Sequence, residues 1–170
     1  MIAAVFVDTN VFVYARDGRD AGKKRAAGEW LDKLWREQLG RTSVQVLNEL
    51  YVTLTSKIHP AEPNESAWEY VLSIQKWDPQ VIDADVLIAA RDVEKRYTLS
   101  WWDSLIVAAA EVQGCSLLLT VDMQDGAIYG GLTVRSPFTL AVAEAAATYV
   151  VEQLAVRTHR TRGRPRRAAA

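Results

Sequence analysis

The sequence has very little cysteine and histidine. Among its 170 residues, Cys115 is the only cysteine, and His59 and His159 are the only histidines. A single cysteine cannot form a disulfide within the chain, which excludes a disulfide-stabilised scaffold and favours a reducing compartment such as the cytoplasm. With only two histidines, a histidine-rich metal site or a Ser-His-Asp triad is not favoured. Catalytic chemistry in this chain therefore has to use other side chains.

Long hydrophobic runs are also missing. No run approaches the roughly 20 apolar residues of a membrane-spanning helix. The apolar start at residues 2–7 lacks a basic leader and meets Asp8 too early for a signal peptide, so we expect no membrane or export segment. Hydrophobic residues make up 49% and charged residues 24% of the chain, a balance typical of one globular domain of this length.

Charge is unevenly distributed along the chain. The net charge is −1, but six arginines and no acidic residue follow position 156, which leaves 14 basic against 21 acidic residues before it. We therefore expect residues 157–170 to form a disordered basic tail on an acidic body. Arg162 and Arg164 lie in a string that resembles an AT-hook, which binds the DNA minor groove. A flexible cationic arm with non-specific phosphate affinity is the simpler interpretation.

Short apolar runs alternate with amphipathic segments. Residues 3–7, 116–121 and 132–135 predict buried strands. Helical periodicity predicts helices at about residues 11–15, 24–38, 44–56, 64–76, 83–93, 101–113 and 138–156. Strands separated by helices indicate a parallel sheet with right-handed crossovers.

Four acidic residues stand out by their positions. Asp8 and Asp122 each follow a predicted buried strand, and the carboxyl ends of neighbouring parallel strands meet at one edge of a sheet. Asp103 lies in the first turn of one helix and Glu49 lies on another. Four carboxylates in one cleft repel each other unless divalent cations neutralise them, and oxygen ligands suit Mg²⁺ or Mn²⁺. Because paired ions of this kind can activate water and stabilise a leaving oxygen, the pattern suggests a metal-dependent nuclease or phosphatase.

Simpler interpretations exist for these acids. Asp103 follows Ser100 by three residues, a spacing typical of a capping box. Glu49 is equally compatible with an exposed position on its helix. For Asp8 the simple interpretation is weaker, since a carboxylate that ends a buried strand is costly without a partner.

Five short motifs occur in order along the chain. They are Val5-Phe6-Val7-Asp8-Thr9-Asn10-Val11, Asn48-Glu49-Leu50, Trp101-Trp102-Asp103-Ser104-Leu105-Ile106, Leu118-Leu119-Thr120-Val121-Asp122-Met123-Gln124-Asp125-Gly126 and Val134-Arg135-Ser136-Pro137-Phe138. The first four resemble the acidic motifs of PIN-domain ribonucleases. The fifth resembles the Asn-Pro-Phe ending of many VapC-type toxins, with serine in place of asparagine.

This resemblance covers residues 1–138 and implies a three-layer α/β/α sandwich with a short parallel sheet. An additional C-terminal helix at residues 139–156 and the basic tail would follow it. The resemblance also implies an endoribonuclease that cleaves RNA, often tRNA or ribosomal RNA, with metal-activated water. Many family members are toxins inhibited by an antitoxin protein, and homodimers are common among them. A cytoplasmic location would fit this function.

The resemblance further implies roles for individual residues. One or two Mg²⁺ or Mn²⁺ ions would be held by Asp8, Glu49, Asp103 and Asp122. Asp125 would be a fifth acid, acting directly or through water. Thr9, Asn10, Ser104 and Thr120 would orient the carboxylates or the scissile phosphate.

Basic and aromatic residues suggest further contacts with RNA. Arg16, Lys23 and Lys24 follow the first motif and are candidates for phosphate contacts, although a solvated helix start also explains them. Trp101 or Trp102, beside the third motif, could stack on a base or simply pack in the core.

Two other function classes are compatible with parts of the sequence. Haloacid-dehalogenase-like phosphatases also place an aspartate after a buried strand, but they need a second aspartate where this chain has Asn10. A non-catalytic module that binds nucleic acid through the basic tail is the other alternative. The presence of all four acids favours the nuclease.

Overall fold

A computed structural model describes residues 4–144. Its strands are β1 (Ala4–Val7), β2 (Gly40–Arg41), β3 (Cys115–Leu119), β4 (Ile128–Tyr129) and β5 (Leu132–Arg135). Its α-helices are α1 (Thr9–Arg16), α2 (Ala21–Glu37), α3 (Val44–Val52), α4 (Asn64–Ile74), α5 (Ala84–Tyr97) and α6 (Trp101–Val112). A π-helical turn at Thr53–Lys57 follows α3, and a 3₁₀ turn at Gln75–Trp77 follows α4. Most of the predicted helix at 139–156 and all of the tail at 157–170 lie outside the described residues.

The five strands form one α/β sheet in the order β2-β1-β3-β5-β4. The three predicted strands, β1, β3 and β5, are mutually parallel, as the sequence predicts. β2, which the sequence pattern does not identify as a strand, joins them in parallel beside β1. The central strands β1 and β3 are buried along most of their length, because helices cover both faces of the sheet. Apolar residues therefore run through these strands without alternation.

The edge of the sheet differs from the prediction. The sequence pattern assigns no strand to residues 126–131, but they contain β4, which pairs antiparallel with β5. Gly130 and Gly131 connect these two strands as a two-residue hairpin loop, and Gly130 adopts a φ of 60°, which glycine tolerates best. The sheet is therefore mostly parallel with one antiparallel edge.

The chain changes direction across the sheet after β2. It passes from β1 to β2 through α1 and α2, and then returns past β1 to reach β3 through α3 to α6. Right-handed crossovers in opposite directions place the two sets of helices on opposite faces. The result is a three-layer arrangement with a topological switch point between β1 and β3, where ligands of such sheets bind.

Several helices begin at capping side chains, and one ends at a glycine, where the sequence predicts. Ser43, Asp83 and Ser100 accept hydrogen bonds from backbone amides in the first turns of α3, α5 and α6. Gly114, with a φ of 67°, terminates α6. The helix after Ser43 differs, since α3 ends at Val52 instead of continuing to Ser56 as an α-helix.

The residues that follow β5 pack onto the same core. The indole nitrogen of the buried Trp30 on α2 donates to the backbone oxygen of Leu140 at 2.9 Å. Leu140 is itself buried against the core cluster. Within residues 4–144, no helix is both long and apolar enough to cross a membrane.

Candidate active site

Asp8 lies at the carboxyl end of β1, between that strand and α1. Its backbone amide donates to the oxygen of Leu119 at 3.0 Å, which joins the ends of β1 and β3. One oxygen of its buried carboxyl accepts from the Thr9 amide at 2.7 Å. The other accepts from the Thr120 hydroxyl at 2.7 Å and from the Asn10 side-chain amide at 3.0 Å. Asp8 is thus held by both strands of the switch point.

The side chain of Asn10 connects the two strand-end acids. Its Nδ2 lies 3.0 Å from a carboxylate oxygen of Asp8 and also 3.0 Å from one of Asp122. Its Oδ1 accepts from the backbone amide of Val121 at 3.2 Å. Because one amide nitrogen serves both carboxylates, Asp8 and Asp122 lie close together, as the parallel strands predict.

Glu49 approaches the same pair from α3. One of its carboxylate oxygens accepts from the Thr9 hydroxyl at 3.2 Å, and the other accepts from the Gln45 side-chain amide at 3.0 Å. The backbone amide of Thr9 binds Asp8, so this one residue contacts both acids. The geometry therefore brings together three of the four predicted acids.

The electrostatics of the cluster are set by the buried acid. Burial raises the pKa of Asp8 to about 6; the hydrogen bonds from Thr120 and Thr9 oppose this shift, and the negative charges of Asp122 and Glu49 add to it. Within residues 4–144, no lysine or arginine forms an ion pair with any of these three acids. The cluster therefore lacks a positive partner from the described protein.

A divalent cation fits this donor set. The available ligands are carboxylate oxygens, which Mg²⁺ and Mn²⁺ prefer, and the buried acid needs a counter-charge. In the described part of the chain, no three His, Cys, Asp or Glu side chains converge closely enough to surround an ion. Mg²⁺ usually keeps several waters and takes only one or two carboxylates from the protein. Asp8 and Asp122 meet that requirement.

Asp103 has different contacts. It lies in the first turn of α6, where its carboxylate accepts a hydrogen bond from the Ser100 hydroxyl at 2.7 Å. Its backbone amide donates to the Oγ of Ser100 at 3.1 Å. Since α6 leads through a tight turn into β3, its first turn lies at the sheet edge where β3 ends. Ser104 donates to the Ser100 backbone oxygen at 2.8 Å and contacts none of the acids through a hydrogen bond.

The sequence of this chain matches the model of a known family. The PIN domain family model matches residues 5–124, most of the chain. The chain belongs to the PIN domain family.

Solved structures share the PIN fold with this chain. VapBC2 from Rickettsia felis, bound to a DNA fragment from its promoter, has a TM-score of 0.57 at 18% identity and covers 78% of this chain and 98% of its own. A toxin–antitoxin complex from Klebsiella pneumoniae has a TM-score of 0.55 at 22% identity, with 79% and 98% covered. VapC20 from Mycobacterium tuberculosis, a sarcin-ricin loop cleaving toxin, has a TM-score of 0.51 at 20% identity, with 68% and 87% covered. A search of curated proteins finds no match.

Asp125, the predicted fifth acid of this PIN domain, forms its hydrogen bonds with residues at and after the end of β5. Its carboxylate accepts from the Arg135 side chain at 3.0 Å, from the Ser136 amide at 2.8 Å and from the Thr139 hydroxyl at 2.8 Å. Partial burial opposes the change, but these hydrogen bonds lower the pKa of Asp125. Through these hydrogen bonds, Asp125 links the loop that precedes β4 to the segment that follows β5. They do not place Asp125 beside the other acids.

The predicted phosphate-binding residues are partly engaged elsewhere. The guanidinium of Arg16 makes two hydrogen bonds with Glu62, at 2.7 and 2.6 Å, and lies 4.6 Å from the ring centre of Tyr70. Lys23 lies over an aromatic ring, 5.3 Å from the centre of Tyr14. Lys24 is exposed. Arg162 and Arg164 lie outside the described residues.

Sequence reasoning missed one basic residue of the cleft. A cavity of about 380 Å³ at the strand ends is lined by Asn10, Glu49 and Asp122, and also by Arg19 and Lys57. Lys57 belongs to none of the five motifs, and it lies in the π-helical turn that follows α3. The helix predicted at residues 44–56 ends before Lys57, so its periodicity gives no indication of where this side chain lies.

Proposed function

We propose that this PIN domain is a divalent-metal-dependent endoribonuclease and the toxin of a toxin–antitoxin pair. The observation that carries the proposal is the buried carboxyl of Asp8, joined through Asn10 to Asp122 at the switch point of the sheet. Burying an acid beside other acids is unfavourable unless a cation binds there. The acidic cluster is therefore better explained by cation binding than by a contribution to the stability of the fold.

Asp8 and Asp122 would hold the cation. Glu49 would contribute directly or through water, and Asp103 would contribute from the start of α6 at the same sheet edge. When bound, the cation supplies an activated water and neutralises charge on the scissile phosphate. Asn10, Thr9 and Thr120 orient the carboxylates through the hydrogen bonds described above.

We also propose an antitoxin protein partner and a homodimer. Support comes from fold neighbours that are toxin–antitoxin complexes and from exposed apolar side chains such as Leu87 and Ile88 on α5. Such side chains are the kind that a partner covers. Size-exclusion chromatography with light scattering, with and without a co-expressed antitoxin candidate, tests both. The substrate class, tRNA or ribosomal RNA in the cytoplasm, is proposed on the family resemblance.

The nuclease proposal is tested with total RNA. The purified chain, Asp8→Asn and the surface control Asp32→Asn are incubated with Mg²⁺, with Mn²⁺ and with EDTA. Discrete fragments are expected from the wild type and from Asp32→Asn with metal, and none from Asp8→Asn or with EDTA. Equal cleavage by Asp8→Asn would refute the assignment of the site. Absence of both cleavage and metal binding would instead favour a non-catalytic nucleic-acid-binding module.

A further inference from the structure

A second cavity adjoins the acidic cleft. It has a volume of about 790 Å³ and is lined mainly by apolar side chains from α3, α6 and the loop before α5, including Val44, Val52, Val81 and Trp102. Cavities of this size accommodate small organic groups such as a nucleotide. Glu49 lines this cavity and also the acidic cleft, so the two spaces share a wall.

The shared wall consists of Glu49, Thr53 and Lys57, which line both cavities. In a regular α-helix, two residues that are four positions apart do not lie directly above one another, because one turn takes only 3.6 residues. Over two such steps, the side chains move onto different sides of the helix. The π-helical turn at Thr53–Lys57 holds more residues per turn, as the 3.1 Å bond from the Ile58 amide to the Thr53 oxygen shows. The wider turn therefore keeps Lys57 on the same face as Glu49.

Lys57 brings an available positive charge to this wall. It is exposed, and within residues 4–144 no acidic group forms an ion pair with it. Arg19, the other cation of the cleft, is neutralised by Asp17 at 2.5 Å. An acidic cleft that accepts a polyanion needs a cation near its edge, and Lys57 meets this need.

Trp102 supplies a flat apolar surface inside the second cavity. Its side chain is 63% exposed, and it makes no ring contact with another aromatic residue in the described part of the chain. It directly precedes Asp103 on α6. Exposing an indole is unfavourable in water, whereas a nucleobase can stack on it in single-stranded nucleic acid.

We propose that this second cavity binds one unpaired nucleotide next to the scissile phosphate of a single-stranded RNA segment. Lys57 is the positioning residue that contacts the backbone phosphate between the two spaces, and Trp102 stacks on the base. The apolar walls from Val44, Val52 and Val81 suit the faces of a base and exclude a second phosphate. This inference rests on the proposed function, because it assigns part of the substrate of the same site.

The test measures RNA binding without cleavage. Fluorescence anisotropy of labelled oligo(A) and oligo(U) is recorded in EDTA across a salt series. Lys57→Ala should weaken binding and reduce the slope of log affinity against log salt by about 0.7, the value for one phosphate contact on a single strand. Trp102→Ala should weaken binding about 5- to 150-fold with the slope unchanged, and Trp102→Phe should restore most of the affinity.

Two controls match the lost groups. Lys76→Ala removes an exposed lysine that lines a different cavity, and Trp68→Ala removes an indole that is 49% exposed on α4. Neither should change RNA affinity. With Mg²⁺ and a cleavable RNA, Lys57→Ala should raise KM more than it lowers kcat.

Several outcomes would overturn the inference. If the wild type binds RNA and the Lys57 and Trp102 variants behave like their controls, the subsite is refuted while the nuclease remains. If Trp102→Ala changes the mass of the assembly in light scattering but leaves RNA affinity unchanged, the cavity is a protein interface. If the wild type neither binds nor cleaves RNA, the proposed function fails together with the subsite.

Discussion

Replacing Asp8 with asparagine should stabilise the metal-free protein while it abolishes cleavage. The carboxyl is buried beside Asp122 and Glu49, and its charge is unfavourable in the folded state. An amide of the same shape removes that charge. This outcome is unusual for a buried residue, because most core substitutions destabilise a protein.

The magnitude follows from the pKa. Burial raises the pKa of Asp8 from 3.8 to about 6, and one pKa unit corresponds to about 1.4 kcal/mol, so ionised Asp8 reduces the free energy of unfolding by about 3 kcal/mol at neutral pH. Both carboxyl oxygens accept hydrogen bonds, and an amide group can accept only on one side. The mismatch with the Asn10 donor costs about 1 kcal/mol. We therefore expect a net gain of about 2 kcal/mol, or roughly 4–8 °C in Tm.

The gain should depend on pH. A carboxyl whose folded pKa is raised binds protons more tightly in the folded state than in the unfolded state, so the wild type becomes more stable as pH falls through about 6. The amide does not titrate. The advantage of Asp8→Asn should thus be complete above about pH 7 and shrink as the pH falls through about 6. Below about pH 4 it should reverse, because the charge contribution is lost there while the hydrogen-bond mismatch still costs about 1 kcal/mol.

Urea unfolding in EDTA, from about pH 4 to about pH 8, measures this difference across the titration of Asp8. Asp32→Asn is the control, because it removes an exposed carboxyl from the middle of α2. Adding Mg²⁺ or Mn²⁺ should then stabilise the wild type and not Asp8→Asn. A variant that is less stable than the wild type at every pH, or whose advantage is independent of pH, would refute a raised pKa at Asp8.

Three other substitutions have expected outcomes. Asn10→Ala should weaken Mn²⁺ binding about 10- to 100-fold in calorimetry, because one amide orients both strand-end acids; unchanged affinity would contradict that role. Asp125→Ala should lower the free energy of unfolding by about 1–3 kcal/mol in urea but keep stabilisation by metal, and loss of the metal effect would return Asp125 to the metal site. Gly40→Ala should destabilise by about 1–3 kcal/mol and alter near-UV circular dichroism, since a Cβ there would lie 2.5 Å from the ring of Trp77; a wild-type spectrum and stability would show that the ring moves freely.

The central sheet and two of its acids were predictable because their signals are local. Uninterrupted apolar runs identify β1 and β3, and an acid directly after each run has to lie at the carboxyl edge of a parallel sheet. The pairing of Val7 with Leu119 confirms the adjacency that this argument requires. Ser100 and Gly114 bracket α6 because caps act through neighbouring backbone groups.

The missed features depend on distant contacts. β4 has only two residues, too few to show a period, and it exists because β5 lies beside it. Lys57 reaches the cleft through a π-helical turn that no spacing rule anticipates. Asp125 follows Asp122 by three residues, and its partners Arg135 and Thr139 come from the end of β5 and the segment after it. The sequence does not reveal these contacts, and a role of Asp125 at the metal site stays a prediction.

The contact between Asp8 and Thr120 spans 112 positions of the chain. A nascent polypeptide that has emerged as far as α6 holds Asp8, Glu49 and Asp103, but it has neither β3 nor Asp122. The cleft can be completed only when nearly the whole PIN domain has left the ribosome. The proposed nuclease would therefore stay inert for most of its own synthesis, and an N-terminal fragment released early would lack a complete site.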